Sequence, residues 1–372
     1  LVIFDTNPGA GAFTPQGIEL VRVEGPAGST VPEDFFLTAG PIEKGLWTYD
    51  LGLDDTRANP GRANADVHVL YSRPDEITQF TPYFATAALT IFETSLEPWI
   101  DRQYTLHDTL AMNRNVTPTA DIGQPVPMKG TFVDLWAAPF GIYREVEADS
   151  VLSFFEDTFS AKMDYDQTVW GLLGGIDVIS IIDEDSAVMG GVFGGYLSSS
   201  VNPDEVDVSG DYEGGTVGAY GSYLWQGLTL SAVAKVDLLK FGWDSSSLNI
   251  KENADVDTWG GRIEAAYKLA LGDVPWIEPY GNLTYADSSW DSFEVLGTEF
   301  DLDDNDSLVG RLGLRLGADF YGTTDYAKIF IGGGVAEQFE DGSTADVVSG
   351  GATLPLSDNI DDTVYEVLGG FK

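Results

Sequence analysis

Cysteine is absent, which removes disulfide frameworks, thiolate metal sites and Cys nucleophiles. Histidine is nearly so: His68 and His107 are too few for a His-rich metal site. Basic residues are scarce, 19 Lys+Arg against 60 Asp+Glu, giving a formal charge of −41. Binding phosphates requires Lys and Arg, so nucleic acid is excluded as a partner. No apolar run reaches the roughly 18 residues of a membrane helix. The best of them, 169–182, is interrupted by Asp177. No basic segment followed by an apolar one opens the sequence, so no targeting signal can be read, and the chain is expected to be processed or a fragment. What is present is 43% hydrophobic and 12% aromatic, with 43 glycines, unlike a disordered acidic chain. A bacterial outer-membrane barrel fits, because each of its strands shows only a short alternation. A secreted soluble all-β protein is the alternative.

Alternation bears on that choice. Over 228–238, Leu228, Leu230, Ala232, Ala234, Val236 and Leu238 share one face, while Thr229, Ser231, Lys235 and Asp237 share the other with Val233. Over 258–271, Trp259, Gly261, Ile263, Ala265, Tyr267, Leu269 and Leu271 oppose Arg262, Glu264 and Lys268. Over 308–320, Leu308, Leu312, Leu314, Leu316 and Phe320 oppose Arg311, Arg315 and Asp319. A period of two gives a sheet with one apolar and one polar face. These runs exceed the usual strand of about 5–6 residues and reach the roughly 9–11 that a tilted membrane strand needs. Aromatics at run ends (Tyr220, Tyr223, Trp225, Phe241, Trp243, Trp259, Trp276, Tyr280, Tyr285, Phe320, Tyr321) are expected in interface girdles. The charged face is then an aqueous lumen.

Short links at 226–227 and 272–274 alternate with long acidic stretches at 202–213, 244–257 and 287–306, the loop asymmetry of outer-membrane barrels. The strands are predicted at 129–143, 161–180, 187–201, 207–225, 228–243, 257–271, 276–290, 307–321, 327–340, 345–356 and 363–372. The last two could belong to fewer strands.

The first 73 residues differ, with short strands at 1–4, 17–23, 35–37, 45–53 and 67–72 between Gly- and Pro-containing turns. The order Leu1-Val-Ile-Phe-Asp-Thr, Thr14-Pro-Gln-Gly-Ile-Glu-Leu-Val-Arg-Val, Phe35-Phe-Leu, Gly45-Leu-Trp-Thr-Tyr-Asp-Leu and Val67-His-Val-Leu-Tyr-Ser resembles the end of a pertactin-like autotransporter passenger. Val188-Met-Gly-Gly-Val-Phe-Gly-Gly-Tyr, Gly214-Gly-Thr-Val-Gly-Ala-Tyr, Trp276-Ile-Glu-Pro-Tyr-Gly-Asn and Gly310-Arg-Leu-Gly-Leu-Arg-Leu are similar to that family's barrel, in the same order. The resemblance implies an all-β fold: the last rungs of a parallel β-helix over 1–74, a linker with a pore-spanning helix over 75–128, and an antiparallel membrane barrel over 129–372.

Within the linker, Thr81-Pro82 reads as a helix start ahead of 83–96, which is free of Gly. Pro98 restarts or kinks a second, polar segment to about Arg114 that carries Asp101, Arg102 and Asp108. At 1.5 Å per residue that polar segment would span about 25 Å, the height of a barrel's apolar band, and suits a charged lumen. A surface linker helix is the alternative.

Lys235, Arg262, Glu264, Lys268, Arg311, Arg315 and Asp319, with Asp101, Arg102 and Asp108, are therefore candidates for lumenal or helix-contacting positions. Asp301, Asp303 and Asn305 match the start of a Ca²⁺ loop, but Asp306 and Leu312 stand where Gly and Glu are required. A solvated acidic loop is the simpler reading. His107 has no G-x-S-x-G partner, and Gly190-Gly191 and Gly194-Gly195 match no phosphate loop; they read as sites of strand bending or close approach. No catalytic, metal or cofactor site is read. The resemblance implies an outer-membrane anchor and translocation domain that is not an enzyme. Its implied partners are membrane lipid, the barrel-assembly machinery and its own N-terminal passenger. A monomer is expected, with 1–74 outside the cell. A stand-alone barrel (porin, adhesin or barrel hydrolase) is the competing reading. About ten strands fit where the family has twelve, and the chain ends Gly-Gly-Phe-Lys372 rather than in a terminal aromatic. Two further strands are therefore expected beyond Lys372, or the remainder is disordered.

Overall fold

The computed structural model describes residues 1–4, 6, 9–25, 28–54, 65–100, 102–103, 106, 130–154, 157–183, 185–272, 274–302, 305–321, 326–340, 342–358, 360 and 363–371. Strands β1 (Ile18–Glu24), β2 (Ile42–Lys44), β3 (Trp47–Asp54) and β4 (Ala65–Pro74) form one sheet in the order β1-β4-β3-β2. Gly45, at φ +64, turns β2 back onto β3, a left-handed conformation that glycine adopts without a steric cost. So short a link returns antiparallel, because a parallel neighbour needs a crossover of about a dozen residues. Every pairing here is antiparallel, which corrects the parallel rungs anticipated over 1–74. Asp66 accepts from the Gly28 and Thr30 amides at 3.1 and 2.7 Å, and the Thr30 bond foremost holds its carboxyl below the usual range.

Next come α1 (Glu76–Gln79) and α2 (Thr81–Thr94). Asp75 caps α1 by accepting from the Thr78 amide at 2.8 Å, and burial pushes its carboxyl up to about 6. The remaining elements are β5 (Gly130–Val146), β6 (Asp149–Phe154), β7 (Asp157–Lys162), β8 (Tyr165–Ile181), β9 (Ser186–Pro203), β10 (Ser209–Trp225), β11 (Leu228–Ser245) and β12 (Ile250–Tyr267). They continue with β13 (Leu269–Ala270), β14 (Pro275–Trp290), β15 (Phe293–Val295), β16 (Thr298–Asp301), β17 (Asn305–Tyr321), β18 (Tyr326–Gln338), β19 (Thr344–Ser349), β20 (Ala352–Ser357) and β21 (Thr363–Phe371).

Ten of these make an antiparallel meander, β5-β8-β9-β10-β11-β12-β14-β17-β18-β21, with the short β13 pairing β14. Eight of the ten are 16–18 residues long, three times the usual strand. Among the described residues β5 and β21 are its two edges. The run at 345–356, predicted as one strand, is instead the hairpin β19–β20, turned by Gly350 and Gly351 at φ +61 and +81.

Parity sorts the faces. On β11, Val233, Lys235, Asp237 and Leu239 are buried, while Leu230 and Leu238 are about half exposed. The same holds around the sheet: Trp170, Leu172, Ile176, Ile263, Leu312 and Ile331 all point outward and exposed, and the inner face wraps α2. A soluble sandwich stacks its apolar faces on each other; here they form an outward belt, which suits hydrocarbon. Some aromatics anticipated in girdles do lie on that belt, among them Tyr223, Trp225, Trp259 and Phe320. Tyr220, Phe241, Trp243, Trp276 and Tyr280 instead point inward and are buried. They share strand parity with the inner charges, so the lumen wall carries apolar as well as charged side chains.

At one end of the barrel the strands join through short turns, such as Gln226-Gly227 with φ of 48 and 88, a favoured hairpin geometry. At the other end lie the longer connections, including β6–β7 and a second sheet, β15-β16-β19-β20. Loop ties stiffen that end: Asp207 accepts from Ser246 Oγ at 2.7 Å and the Ser247 amide at 2.6 Å, and these bonds lower its carboxyl's pKa. The β1–β4 unit is seated there. Trp47 Nε1 donates to Thr298 Oγ1 at 3.2 Å, Phe13 stacks on Trp47 at 5.1 Å, and the Tyr71 and Phe154 rings lie 6.3 Å apart.

Candidate functional site

The lumen is occupied by α2, and its sequence explains why a helix persists there. Pro82 sits in the first turn, where its missing N–H costs nothing, and Ala85, Ala87, Ala88 and Leu89 are strong helix formers. A helix enclosed on all sides must satisfy its own hydroxyls. Thr90 Oγ1 donates to Thr86 O at 3.0 Å, Thr94 Oγ1 to Thr90 O at 2.8 Å, and Ser95 Oγ to Ile91 O at 2.8 Å. The chain stays helical at 97–100 and at 102–103. The polar segment 98–114 was expected to fill the pore. Among the described residues 81–94 fill much of the lumen, and Arg102 and Gln103 of the polar segment are buried there as well. Asp101 and Asp108 lie outside the described residues, as do His107 and Asp303.

One side of the lumen is aromatic. Phe84 packs on Phe241 with ring centres 5.0 Å apart, and Phe80 on Tyr165 at 5.6 Å. The helix backbone is pinned from the wall, where Tyr212 Oη donates to Phe84 O at 2.7 Å and Gln167 Nε2 to Ala87 O at 3.0 Å. Gly210 makes room for this contact. A Cβ there would lie 2.5 Å from Phe84 Cε1 and 2.9 Å from Phe241 Cε2.

The opposite side is charged. Arg311 donates to both Glu93 oxygens at 3.0 and 2.7 Å and to Glu366 on β21 at 3.0 Å. Arg262 Nη1 lies 3.6 Å from Glu97, and its Nε donates to Thr284 Oγ1 at 2.8 Å. Lys235 and Asp237 are paired and fully enclosed; Lys235 also donates to Ser95 Oγ at 2.7 Å and lies 3.9 Å from the Phe92 ring centre. Asp237 Oδ1 has no hydrogen-bond partner among the described residues. Arg315 bridges Glu278 at 3.0 Å and Glu264 at 3.6 Å, and Lys268 pairs with Asp319, which also accepts from Trp276 Nε1 at 2.8 Å.

At the short-turn end Arg102 bridges Asp177 on β8 and Asp134 on β5, and Trp136 Nε1 donates to Asp177 at 3.1 Å. Four of the seven wall residues singled out from the sequence thus connect with one another (Glu264 with Arg315, Lys268 with Asp319), and three reach the helix (Lys235, Arg262, Arg311). Their helix partners Glu93, Ser95 and Glu97 were missed, because nothing local marks which helix face meets which strand. Asp177 carried a visible signal as the lone charge in an apolar run.

No described group of three or more His, Asp or Glu is placed to hold a metal ion. The arrangement binds and orients a helix. It defines a class: a transmembrane barrel with a helix from its own N-terminal side threaded through the pore. The family model for the autotransporter β-domain matches residues 151–372, and the chain belongs to that family. The family is an outer-membrane anchor and translocation domain acting on a passenger, a transport role rather than a catalytic one. Similar solved structures include the β domain of the Bordetella autotransporter BrkA, 19% identical over 63% of this chain and 98% of that one, with a TM-score of 0.43. The transport unit of AIDA-I from Escherichia coli is 11% identical over 71% and 85% of the two chains, with a TM-score of 0.46. No curated protein matches the chain.

Proposed function

We propose that residues 1–74 are the cell-surface end of the passenger, that 75–128 link it through the pore, and that 129–372 anchor the assembly as a monomer. The observation that carries this is the path of the helix. Near its start, Tyr83 Oη donates to Asp149 O at 3.4 Å and Thr86 Oγ1 bonds Asp358, both on the long-loop end. Farther along, Arg102 reaches Asp134 and Asp177 at the short-turn end. Long loops face outward in outer-membrane barrels and short turns face the periplasm. The β1–β4 sheet then sits outside, and the chain returns inward to begin β5. The work is physical: the passenger leaves as a chain through the lumen and folds outside, while α2 stays behind as the link and fills the pore. Insertion of the strands by the barrel-assembly machinery belongs to the same reading, as does the lack of a catalytic role.

An epitope placed at Gly40 and another at the 226–227 turn test it. Both positions have left-handed glycines, and nothing lies within 4 Å of where a Gly40 side chain would begin. The Gly40 epitope is expected to be stained on intact cells and the turn epitope only after permeabilisation. The reverse pattern would overturn the orientation, and staining of neither on intact cells would overturn surface exposure of 1–74.

A further inference from the structure

The outward belt is not uniformly filled. Strand register sets Ala265, Gly281 and Leu312 in one cross-strand row and Ile263, Leu283 and Gly310 in the next. Three of those six outward positions carry no side chain beyond a methyl, so the wall is indented. The result is a groove with a volume of ≈ 650 Å³, within the roughly 300–1,000 Å³ of small-molecule sites. It runs from Leu230, near the short-turn end of β11, across β12, β14 and β17 to Phe339, just past the loop end of β18. Phe339 lies over Gly310, where an added Cβ would stand 2.7 Å from the ring. Most of the lining is apolar, with Ser231 and Asn282 among it. Glu264 and Arg311 border the groove, but their charged ends are engaged on the other face, with Arg315 and with Glu93. Glu337, at the loop end, accepts from Thr363 Oγ1 at 2.6 Å.

We propose that this groove holds one acyl chain of a membrane lipid, its headgroup level with Glu337 and Phe339. The groove is continuous with the belt that meets hydrocarbon, so the molecules in reach of it are lipid tails. An unfilled apolar notch forfeits the dispersion contacts that a fitted chain would supply. Its lining crosses five strands, β11, β12, β14, β17 and β18, an extent that suits a flexible hydrocarbon chain rather than a compact ligand. A carboxylate and an aromatic at the loop end mark the depth at which polar headgroups begin. The inference rests on the membrane reading, but its failure is separable, because an ordinary belt would bind lipid without a preferred place.

The test is native mass spectrometry of the whole barrel after incubation with dipalmitoyl phosphatidylethanolamine. Ala265→Leu and Gly281→Leu would fill the groove; the Leu312 side chain, 2.9 Å from a Gly281 Cβ, is flexible enough to give way. Ala219→Leu, exposed on the belt at β10, is the control. A heat-dependent shift in gel mobility confirms that each variant is folded. Wild type and the control are expected to retain one lipid, and the two groove variants to retain it about tenfold less. Equal retention by all four proteins overturns the proposal, as does wild type retaining none. A wild-type dimer that Ala265→Leu makes monomeric would overturn it too, assigning the groove to a second copy.

Discussion

Lys235→Met is expected to destabilise the folded barrel by about 3–5 kcal/mol, the cost of leaving one half of a buried ion pair unmatched. Lys235 and Asp237 have side chains 0% and 1% exposed, so water cannot take over the screening of either. Loss of the ammonium leaves Asp237 a bare carboxylate whose Oδ1 already lacks a hydrogen-bond partner among the described residues. It also removes the donor to Ser95 Oγ and the cation over Phe92, and with them two of the wall's holds on the helix. Asp237→Leu added to Lys235→Met is expected to recover most of that loss, since an apolar pair of similar volume is often as stable as the ions it replaces. Urea unfolding in detergent measures both. A single variant as stable as wild type, or a double variant no better than the single, would contradict the enclosed-pair account.

Gly210→Val is expected to unseat the start of the helix. The new Cβ would enter the space of the Phe84 and Phe241 rings, and rigid aromatics cannot turn aside as a long aliphatic chain can. Overpacking of this kind costs about 1–3 kcal/mol, and here it presses on the segment closing the pore. Raised ion conductance in planar bilayers, together with a lower temperature for the gel-mobility shift, is the expected pair of results. Phe84→Leu should restore both by giving the valine room. Gly221→Val is the control, because its nearest neighbour, Met189 O, lies 3.9 Å from the added Cβ. If Gly221→Val and Gly210→Val behave alike, the effect is general strand loosening and the helix contact is not its source.

The two-residue period made the barrel legible. It placed Lys235, Arg262, Glu264 and Arg315 on one face of their strands because each alternates with outward Leu, Ile or Ala. The same parity was available for Phe241 and Trp243, which are odd-numbered like Lys235 on the same strand; their proximity to a strand end suggested an interface instead. β8 shows where the signal fails. Val169, Leu173 and Ile179 line the lumen while Leu172, Ile176 and Val178 face outward, so both faces are apolar and the alternation vanishes. That apolar inner wall is also what the apolar face of α2 packs against, while most of the polar stretch after Pro98 lies outside the described residues. The pairing of Glu93 with Arg311 joins residues 218 apart, and only the curled sheet wrapped around the helix brings them together. Gly350-Gly351 was a readable hairpin turn, and overlooking it merged two strands into one.

A nitroxide scan along β11 tests the central claim most directly, and the absence of native cysteine lets each introduced one report alone. In vesicles, labels at Leu230, Ala232, Ala234 and Leu238 should be accessible to oxygen, which concentrates in hydrocarbon, and shielded from a water-soluble nickel relaxant. Labels at Ser231 and Val233 should be shielded from oxygen. Should the even-numbered positions be closed to both relaxants, those side chains are packed against protein, and the barrel reading is contradicted.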